Sequence, residues 1–350
     1  MDRDGRLVGG PASGDRRCDD LAGPRHDRQR PGRYTYINGR LHASVWTGSA
    51  ASRVDYHPAA FTDSVIFGIW GGRKVGRIHV GIVDHACIWG GSAEDYVDLH
   101  PLGADSSYAL GVSDTQVVGY INTPAPNATT RASLWTGDAL SWTNLNPAGA
   151  ASTQAFATAD GQQVGQAAVN GNNHAALWTG SAGSWVDLHP AGPTIQRSWA
   201  YGVSHGTQVG EVLTTGNVRH AAVWDSTAAS YVDLHATIPN FNSSTARAVW
   251  KDADYTYVAG YGTQGSLDQA LLWRRANPTP PCVADVAGLG GAAGADGSIS
   301  VDDLIFYLNA FFASNLAVAD IAGLGGSTVP DGQLTPDDLI AFLGSFFGGC

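Results

Sequence analysis

Lysine and glutamate are almost missing from this chain of 350 residues: only Lys74, Lys251, Glu94 and Glu211 occur, beside a single methionine. With so little glutamate, the paired carboxylates of most glycoside hydrolases would have to be mainly aspartates. No clustered basic surface is present, and with a net charge of −11 this argues against a nucleic-acid partner. No apolar run reaches the roughly 18 residues that a bilayer span requires, so no membrane span is expected. No Gly-x-Ser-x-Gly nucleophile elbow with plausible partners stands out. A signal peptide is not visible either. Residues 1–33 hold eight Arg and six Asp without apolar periodicity, which reads as disorder, a wrong start site or a truncated precursor. Cysteine is scarce at four. Cys282 and Cys350 bracket an acidic segment and are placed to staple its ends, an arrangement that favours an oxidising compartment. Cys87, inside an apolar strand pattern, is expected as a buried free thiol, and Cys18 stays ambiguous.

Glycine (45) and tryptophan (11) are what the chain has in excess, while charged residues make up only 15%. That balance suits many short strands joined by tight turns. Trp46, Trp89, Trp135, Trp178, Trp224 and Trp273 follow one another at intervals of 43, 46, 43, 46 and 49 residues. Nine residues after each of the first five comes Asp55, Asp98, Asn144, Asp187 or Asp233, within phrases such as Val-Asp-Leu-His-Pro. The fixed interval predicts a hairpin whose first strand ends at Trp. Between hairpins, Gly76, Gly119, Gly165, Gly210 and Gly260 share one slot in a second pair of strand signals. Each unit of about 45 residues then supplies four antiparallel strands, the content of one propeller blade. The predicted fold is mainly β: a β-propeller over residues 34–275. Six blades are favoured, the piece from Tyr34 to Trp46 and a strand after Trp273 completing one closing blade; five is the alternative. The phrases His-Ala-Ala-Leu-Trp178 and Gly-Val-Ser with Val-Val-Gly119 resemble the extracellular HAF repeat family, which implies a propeller outside the cell. The third unit departs with Thr130-Arg131-Ala, and the sixth with Asp268-Gln269-Ala.

Two rows of histidine invite a metal or acid-base reading: His42, His85, His174 and His220 before the Trp strand, and His57, His100, His189 and His235 after it. A residue repeated in every blade is spread around the ring, too far from its copies to converge on one ion. In the third unit Asn144 and Asn146 replace Asp and His, which keeps hydrogen bonding and removes proton transfer. Hydrogen bonds to strand edges or turns are therefore expected of both rows. A binding face is sought where the repeat breaks, at Arg197, Trp199, His205, Glu211 and Arg219. Exposed aromatics there would suit a glycan or protein ligand.

Composition changes at Asn277-Pro-Thr-Pro-Pro281, a stiff linker over residues 276–281, and residues 282–350 carry eight Asp with no Lys, Arg or Glu. This segment is a duplication of period 35: Val-Ala-Asp285 recurs as Val-Ala-Asp320, and Asp296-Gly with Asp303 recurs as Asp331-Gly with Asp338. Each copy ends in an amphipathic helix, Leu304, Leu308, Phe311 and Phe312 matching Leu339, Leu343, Phe346 and Phe347 on one face. Ser300 and Thr335 are placed as N-caps, with Asp303 and Asp338 three residues on. Asp-Gly with an apolar residue and a further Asp seven positions on has the pattern of the second half of an EF-hand-like calcium loop. The expected ligands are Asp285, Asp296, Asp303, Asp320, Asp331 and Asp338, the first of each copy folding back across an enlarged Gly-rich loop. A capping role for the helix-start aspartates is the competing reading. With Cys282 and the terminal Gly-Gly-Cys350, the segment resembles the GC-type dockerin domains of planctomycete-like bacteria, a small α-helical module. The resemblance implies calcium binding and attachment to a cohesin-like or cell-surface protein.

The expected function is a secreted, non-catalytic scaffold or ligand-binding propeller, extracellular or at the cell surface, held there by the calcium-dependent module. A polysaccharide-degrading glycosidase or lyase tethered in the same way is the alternative.

Overall fold

The computed structural model describes residues 8–11, 33–252, 254–277, 284–288, 290–294, 298–322 and 330–348. The chain divides into two compact units, Met1–Ala276 and Asn277–Cys350.

In the first unit the hairpin signals act as the sequence suggests. Asp160-Gly161 and Asn170-Gly171 both take positive φ at both positions, the type I′ geometry whose twist matches that of paired strands. They reverse the chain on either side of Gln162–Val169, which therefore pairs antiparallel with Thr153–Ala159 and Asn172–Trp178. After Trp178 a turn at Ala182–Ser184 intervenes, and the Ser184 hydroxyl accepts from the Thr179 N–H at 2.8 Å. The fourth strand is then only Val186–Asp187. This sheet is repeated before and after it. Ser64–Trp70 opens the second sheet, Ser106–Val112 the third, Ile195–Ser204 the fifth and Ser243–Lys251 the sixth, giving six sheets in chain order when Arg33–Asp55 is included.

The shared glycine slot has a steric cause. A Cβ on Gly165 would sit 1.9 Å from the Gln154 carbonyl oxygen, and one on Gly76, Gly119, Gly210 or Gly260 would meet the same obstacle. Opposite each slot the register slips by one residue, leaving Phe67, Leu110, Phe156, Tyr201 and Arg247 as bulged residues on the first strands. Consecutive first strands lie side by side. A Cβ on Gly68 would press on the Leu110 carbonyl at 2.8 Å, one on Gly111 on that of Phe156 at 2.8 Å, and one on Gly202 on that of Arg247 at 3.1 Å.

Between adjacent sheets the Trp row meets the Leu of the Val-Asp-Leu phrase. Trp178 packs with Leu145 between the third and fourth sheets, Trp224 with Leu188 between the fourth and fifth, and Trp135 with Leu99 between the second and third. Trp89 with Tyr56, and Trp273 with Leu234, do the same at the two remaining contacts. All five Trp are fully buried. Burying an indole removes about 150–250 Å² from water, so at about 25 cal/mol per Å² each is worth several kcal/mol. Successive antiparallel sheets packed face to face, first strands adjacent, are a propeller-like arrangement. Cys87 is buried and free, as expected, and burial pushes its thiol pKa up.

Both ends of this unit differ from expectation. Arg33–Ile37, Arg40–Val45 and Val54–Asp55 form a three-stranded sheet of their own instead of sharing a blade with the end of the unit. The sixth sheet takes its fourth strand from Val8–Pro11, inside the segment to which no fold was assigned; Val8 lies opposite Arg274 and Pro11 opposite Leu271. The chain leaves the sheet after Leu267–Ala276, so that strand has an open edge to pair, and a proline at the end of an edge strand costs no ladder bond.

In the second unit, α1 (Val301–Phe312) and α3 (Pro336–Gly348) frame a small core, with the short α2 (Leu316–Ala319) between them. Tyr307 and Phe342 are fully buried and stack at 3.8 Å, with Leu304, Phe311, Leu339, Leu343 and Phe346 around them. Phe312 and Phe347, expected on this face, are each 78% exposed. One residue beyond Phe311 or Phe346 turns the side chain about 100° around the helix, off the packed stripe. Cys282 and Cys350 lie outside the described residues, as do Cys18 and Asp296.

Candidate functional site

The two histidine rows meet. Two strands and the turn between them bring His174 onto His189 with ring centroids 4.1 Å apart, and His42 onto His57, His85 onto His100 and His220 onto His235 at 4.0, 3.9 and 4.3 Å. In the fourth sheet His174 Nδ1 lies 2.7 Å from Asp187 Oδ2, while Asp187 Oδ1 accepts the His189 N–H at 2.8 Å. His189 Nδ1 lies 2.9 Å from the Ser198 hydroxyl of the next sheet, whose oxygen accepts the Ala175 N–H at 2.8 Å. The same His–Asp–His–Ser set joins each of three other sheets to its successor, through Ser64, Ser107 and Ser244. In the third sheet Asn144, Asn146 and Thr153 reproduce it without a histidine: Thr153 Oγ1 donates to Asn146 Oδ1 and accepts from the Ala132 N–H. Burial, and then the neighbouring ring, hold His57, His100, His189 and His235 below the usual histidine pKa. The copies stay in separate sheets, so this machinery ties sheet to sheet.

A different set gathers where the fifth and sixth sheets lie together. Trp199 and Glu211 are directly opposite one another in the fifth sheet. Glu211 is 1% exposed, and its carboxylate accepts from the Arg219 guanidinium, from Tyr201 Oη at 3.0 Å, and from Thr245 Oγ1 of the sixth sheet at 2.6 Å. Arg219 also lies over the Trp199 ring at 5.4 Å. Arg247, the bulged residue of the sixth sheet, has its guanidinium 4.3 Å from the Tyr201 ring and 5.7 Å from that of Tyr261, and donates to Tyr261 Oη at 3.4 Å. Hydrogen bonds from Arg247 and Thr245 draw the Tyr261 hydroxyl pKa down, whereas burial raises that of Tyr201. The corresponding place in the third sheet is closed on itself. Tyr108 and Tyr120 stack at 4.8 Å, and Tyr108 Oη donates to Asp84, already held by Arg77 and His79. Burial, and then that bond to Asp84, raise the Tyr108 pKa to about 12.

Of the five residues expected at a binding face, Trp199, Glu211 and Arg219 come together. Arg197 is exposed two positions ahead of Trp199 on the same strand. His205 is elsewhere: it sits at the far end of that strand in a tight turn with φ 46°, its N–H donating to Asp160 Oδ2 at 2.8 Å. A Ser-His-Gly turn closes a hairpin, and that explains this histidine. Tyr201, Thr245, Arg247 and Tyr261 were not foreseen. Aligning the bulged column, in which Phe67, Leu110, Phe156 and Tyr201 give way to Arg247, is the signal that points to the last sheet.

In the second unit the repeated carboxylates do two different things. Asp303 is fully buried; its Oδ1 accepts from the N–H groups of Val286 and Ala287, and its Oδ2 from the N–H and hydroxyl of Ser300. Asp338 does the same with Ile321, Ala322 and Thr335. Burial alone would raise these two pKa values, but the donors outweigh it and both lie below the usual carboxylate range. Each oxygen already accepts two hydrogen bonds, and in this structure Asp303 and Asp338 cap α1 and α3 and bind the preceding loop to them, as the competing reading of these two expected ligands has it. Asp320, by contrast, reaches across the loop as expected, its Oδ1 accepting from the Asp331 N–H at 3.2 Å and its Oδ2 from that of Gly332 at 2.7 Å. Among the described residues no group of three His, Cys, Asp or Glu converges as a metal site.

No family model and no curated protein matches the chain. Solved structures that match the chain include a puromycin hydrolase, 13% identical with a TM-score of 0.45 over 70% of this chain and 43% of that one. Pyrococcus horikoshii acylaminoacyl peptidase is 12% identical with a TM-score of 0.40 over 73% and 40%. Trypanosoma rangeli sialidase, in complex with the inhibitor DANA, is 10% identical with a TM-score of 0.36 over 87% and 61%. The chain spans less than half the length of the first two.

Proposed function

We propose that this chain is a secreted ligand-binding propeller of six blades whose C-terminal module, dockerin-like, attaches it to a cohesin-like or cell-surface protein. One observation carries the binding half of this reading. The only described arginine and tryptophan side chains drawn together around a buried acid, Trp199 and Arg219 about Glu211, lie where the repeat breaks, with Arg247 beside them over Tyr201, and Trp199, Arg219 and Arg247 each leave part of themselves open to solvent. A repeated scaffold that departs from its own pattern at adjoining strands has departed for a contact. Glu211 is engaged by an arginine and two hydroxyls, which suits an orienting role rather than proton donation to a leaving group.

The calcium half is supported by Asp320, whose carboxylate folds back onto the N–H groups of Asp331 and Gly332 and so sits beside the Asp-Gly of the second copy. Asp285 and Asp296 would serve the first copy. When bound, calcium would neutralise the acidic loop and fix it; the capping carboxylates Asp303 and Asp338 would hold the helices with or without it. The test is a calorimetric calcium titration of the full chain beside the Asp320→Ala, Asp331→Ala double variant. Binding that the double variant weakens supports the reading, and a parent chain that takes up no calcium overturns it. For the propeller, a glycan array probed with the full chain should show saturable binding without cleavage; product release from any glycan would favour the tethered hydrolase or lyase instead.

A further inference from the structure

We infer that the cluster between the fifth and sixth sheets selects an acidic glycan, with Arg247 as the group that meets its anion. This rests on the ligand-binding reading above and narrows it. Arg219 has a carboxylate partner, Glu211, whereas Arg247 is exposed and makes no ion pair among the described residues. Its guanidinium is nevertheless held in place, over Tyr201 at 4.3 Å and bonded to Tyr261 Oη. Its hydrogen bonds run to tyrosine, and no carboxylate pairs with it among the described residues. A planar fork, fixed by stacking and without an anionic partner, is arranged for an oxyanion, whether the carboxylate of a uronate or the sulfate of a sulfated sugar. The chain as a whole is acidic, so a fixed cation of this kind stands out against its surroundings. Beside it Trp199, half-buried, presents an aromatic ring capped by Arg219, and Tyr201 lies between the two arginines, bonded to Glu211 and under Arg247. A partly exposed aromatic with polar groups at its edge, as at Trp199, suits a sugar, whose C–H face stacks while its hydroxyls bond.

The experiment is isothermal titration of the full chain with oligogalacturonate, with its fully methyl-esterified counterpart, and with a sulfated chondroitin oligosaccharide, each repeated on Arg247→Met. The account expects binding of at least one anionic probe, weakened about tenfold or more by Arg247→Met, the size of one lost charge-assisted hydrogen bond. Loss on raising the salt concentration should accompany it. The two anionic probes separate carboxylate from sulfate. Circular dichroism melts of parent and variant should coincide, since Arg247 is exposed, and Arg247→Lys should recover only part of the affinity because the planar fork is gone. Equal binding of the esterified and acidic probes, or a titration untouched by Arg247→Met, overturns the inference and leaves the binding reading standing. Failure of every oligosaccharide to bind overturns both.

Discussion

Ser198 and Arg247 lie on the first strands of neighbouring sheets, and they show what repetition means in this chain. Ser198 belongs to a set found in four sheets and rebuilt from amides and a threonine in the third; its hydroxyl takes a backbone N–H from the sheet before it and meets a histidine ring. Arg247 occupies a column otherwise filled by Phe67, Leu110, Phe156 and Tyr201, and it meets tyrosines and no carboxylate among the described residues. What recurs is occupied in joining one sheet to the next, whereas Arg247, which does not recur, is exposed. In the second unit Asp303 and Asp338, duplicated at the helix starts, are likewise used up by four donors each.

The contrast can be broken by substitution. The largest effect is expected at Trp178, where alanine should cost about 3–5 kcal/mol in denaturant unfolding because it empties the core between the third and fourth sheets. A loss below about 1 kcal/mol would mean that the Trp row is not what holds the sheets. Next comes Asp338→Asn, expected to cost about 1.5–3 kcal/mol because an amide replaces one acceptor oxygen with a donor facing other donors. That loss should be the same with calcium or with chelator; a loss seen only with calcium would restore Asp338 to the ligands. Ser198→Ala should cost about 1–3 kcal/mol, leaving the Ala175 N–H buried without its acceptor, and should leave glycan binding unchanged. Arg247→Met should do the reverse, altering stability by no more than about 0.5 kcal/mol.

Acid sharpens the comparison. His57, His100, His189 and His235 are held below the ordinary value, so the unfolded chain binds more protons than the folded one once the pH drops below about 6.5. Stability of the first unit should therefore decline as pH falls from there toward the folded pKa values. The second unit, whose Asp303 and Asp338 are also held low, keeps that contribution until the pH falls below the ordinary aspartate value of about 3.9 and loses it on passing through the folded values. Two separated acid transitions in near-ultraviolet circular dichroism would bear this out, and one transition at low pH would count against the histidine sets.

The repeat itself was legible because Trp and glycine return at fixed places, with Val-Asp-Leu or a close variant beside them. Gly165 is an example: the obstacle is backbone, so no side chain substitutes, and a glycine marks the same point in five of the six sheets. The helix caps were legible for a similar reason, Ser300 and Asp303 acting over a short range. Pairing across strands was not. His174 and His189 stack although each row reads as a separate pattern, because the contact is made by two strands folding back. Val8–Pro11 carries no strand pattern at all; the open edge of Leu267–Ala276 recruits it. Arg247 was hidden by the bulge, since a residue slipped out of register by one position faces where its neighbours in sequence do not.

The account is tested most directly by a crystal structure of the full chain soaked with an acidic oligosaccharide. It predicts the ligand's anionic group against Arg247, with its ring beside Trp199 and Tyr201. A ligand seated instead on the stacked histidines of the repeated set would contradict it, because the part of the chain assigned to joining sheets would then be the part that binds.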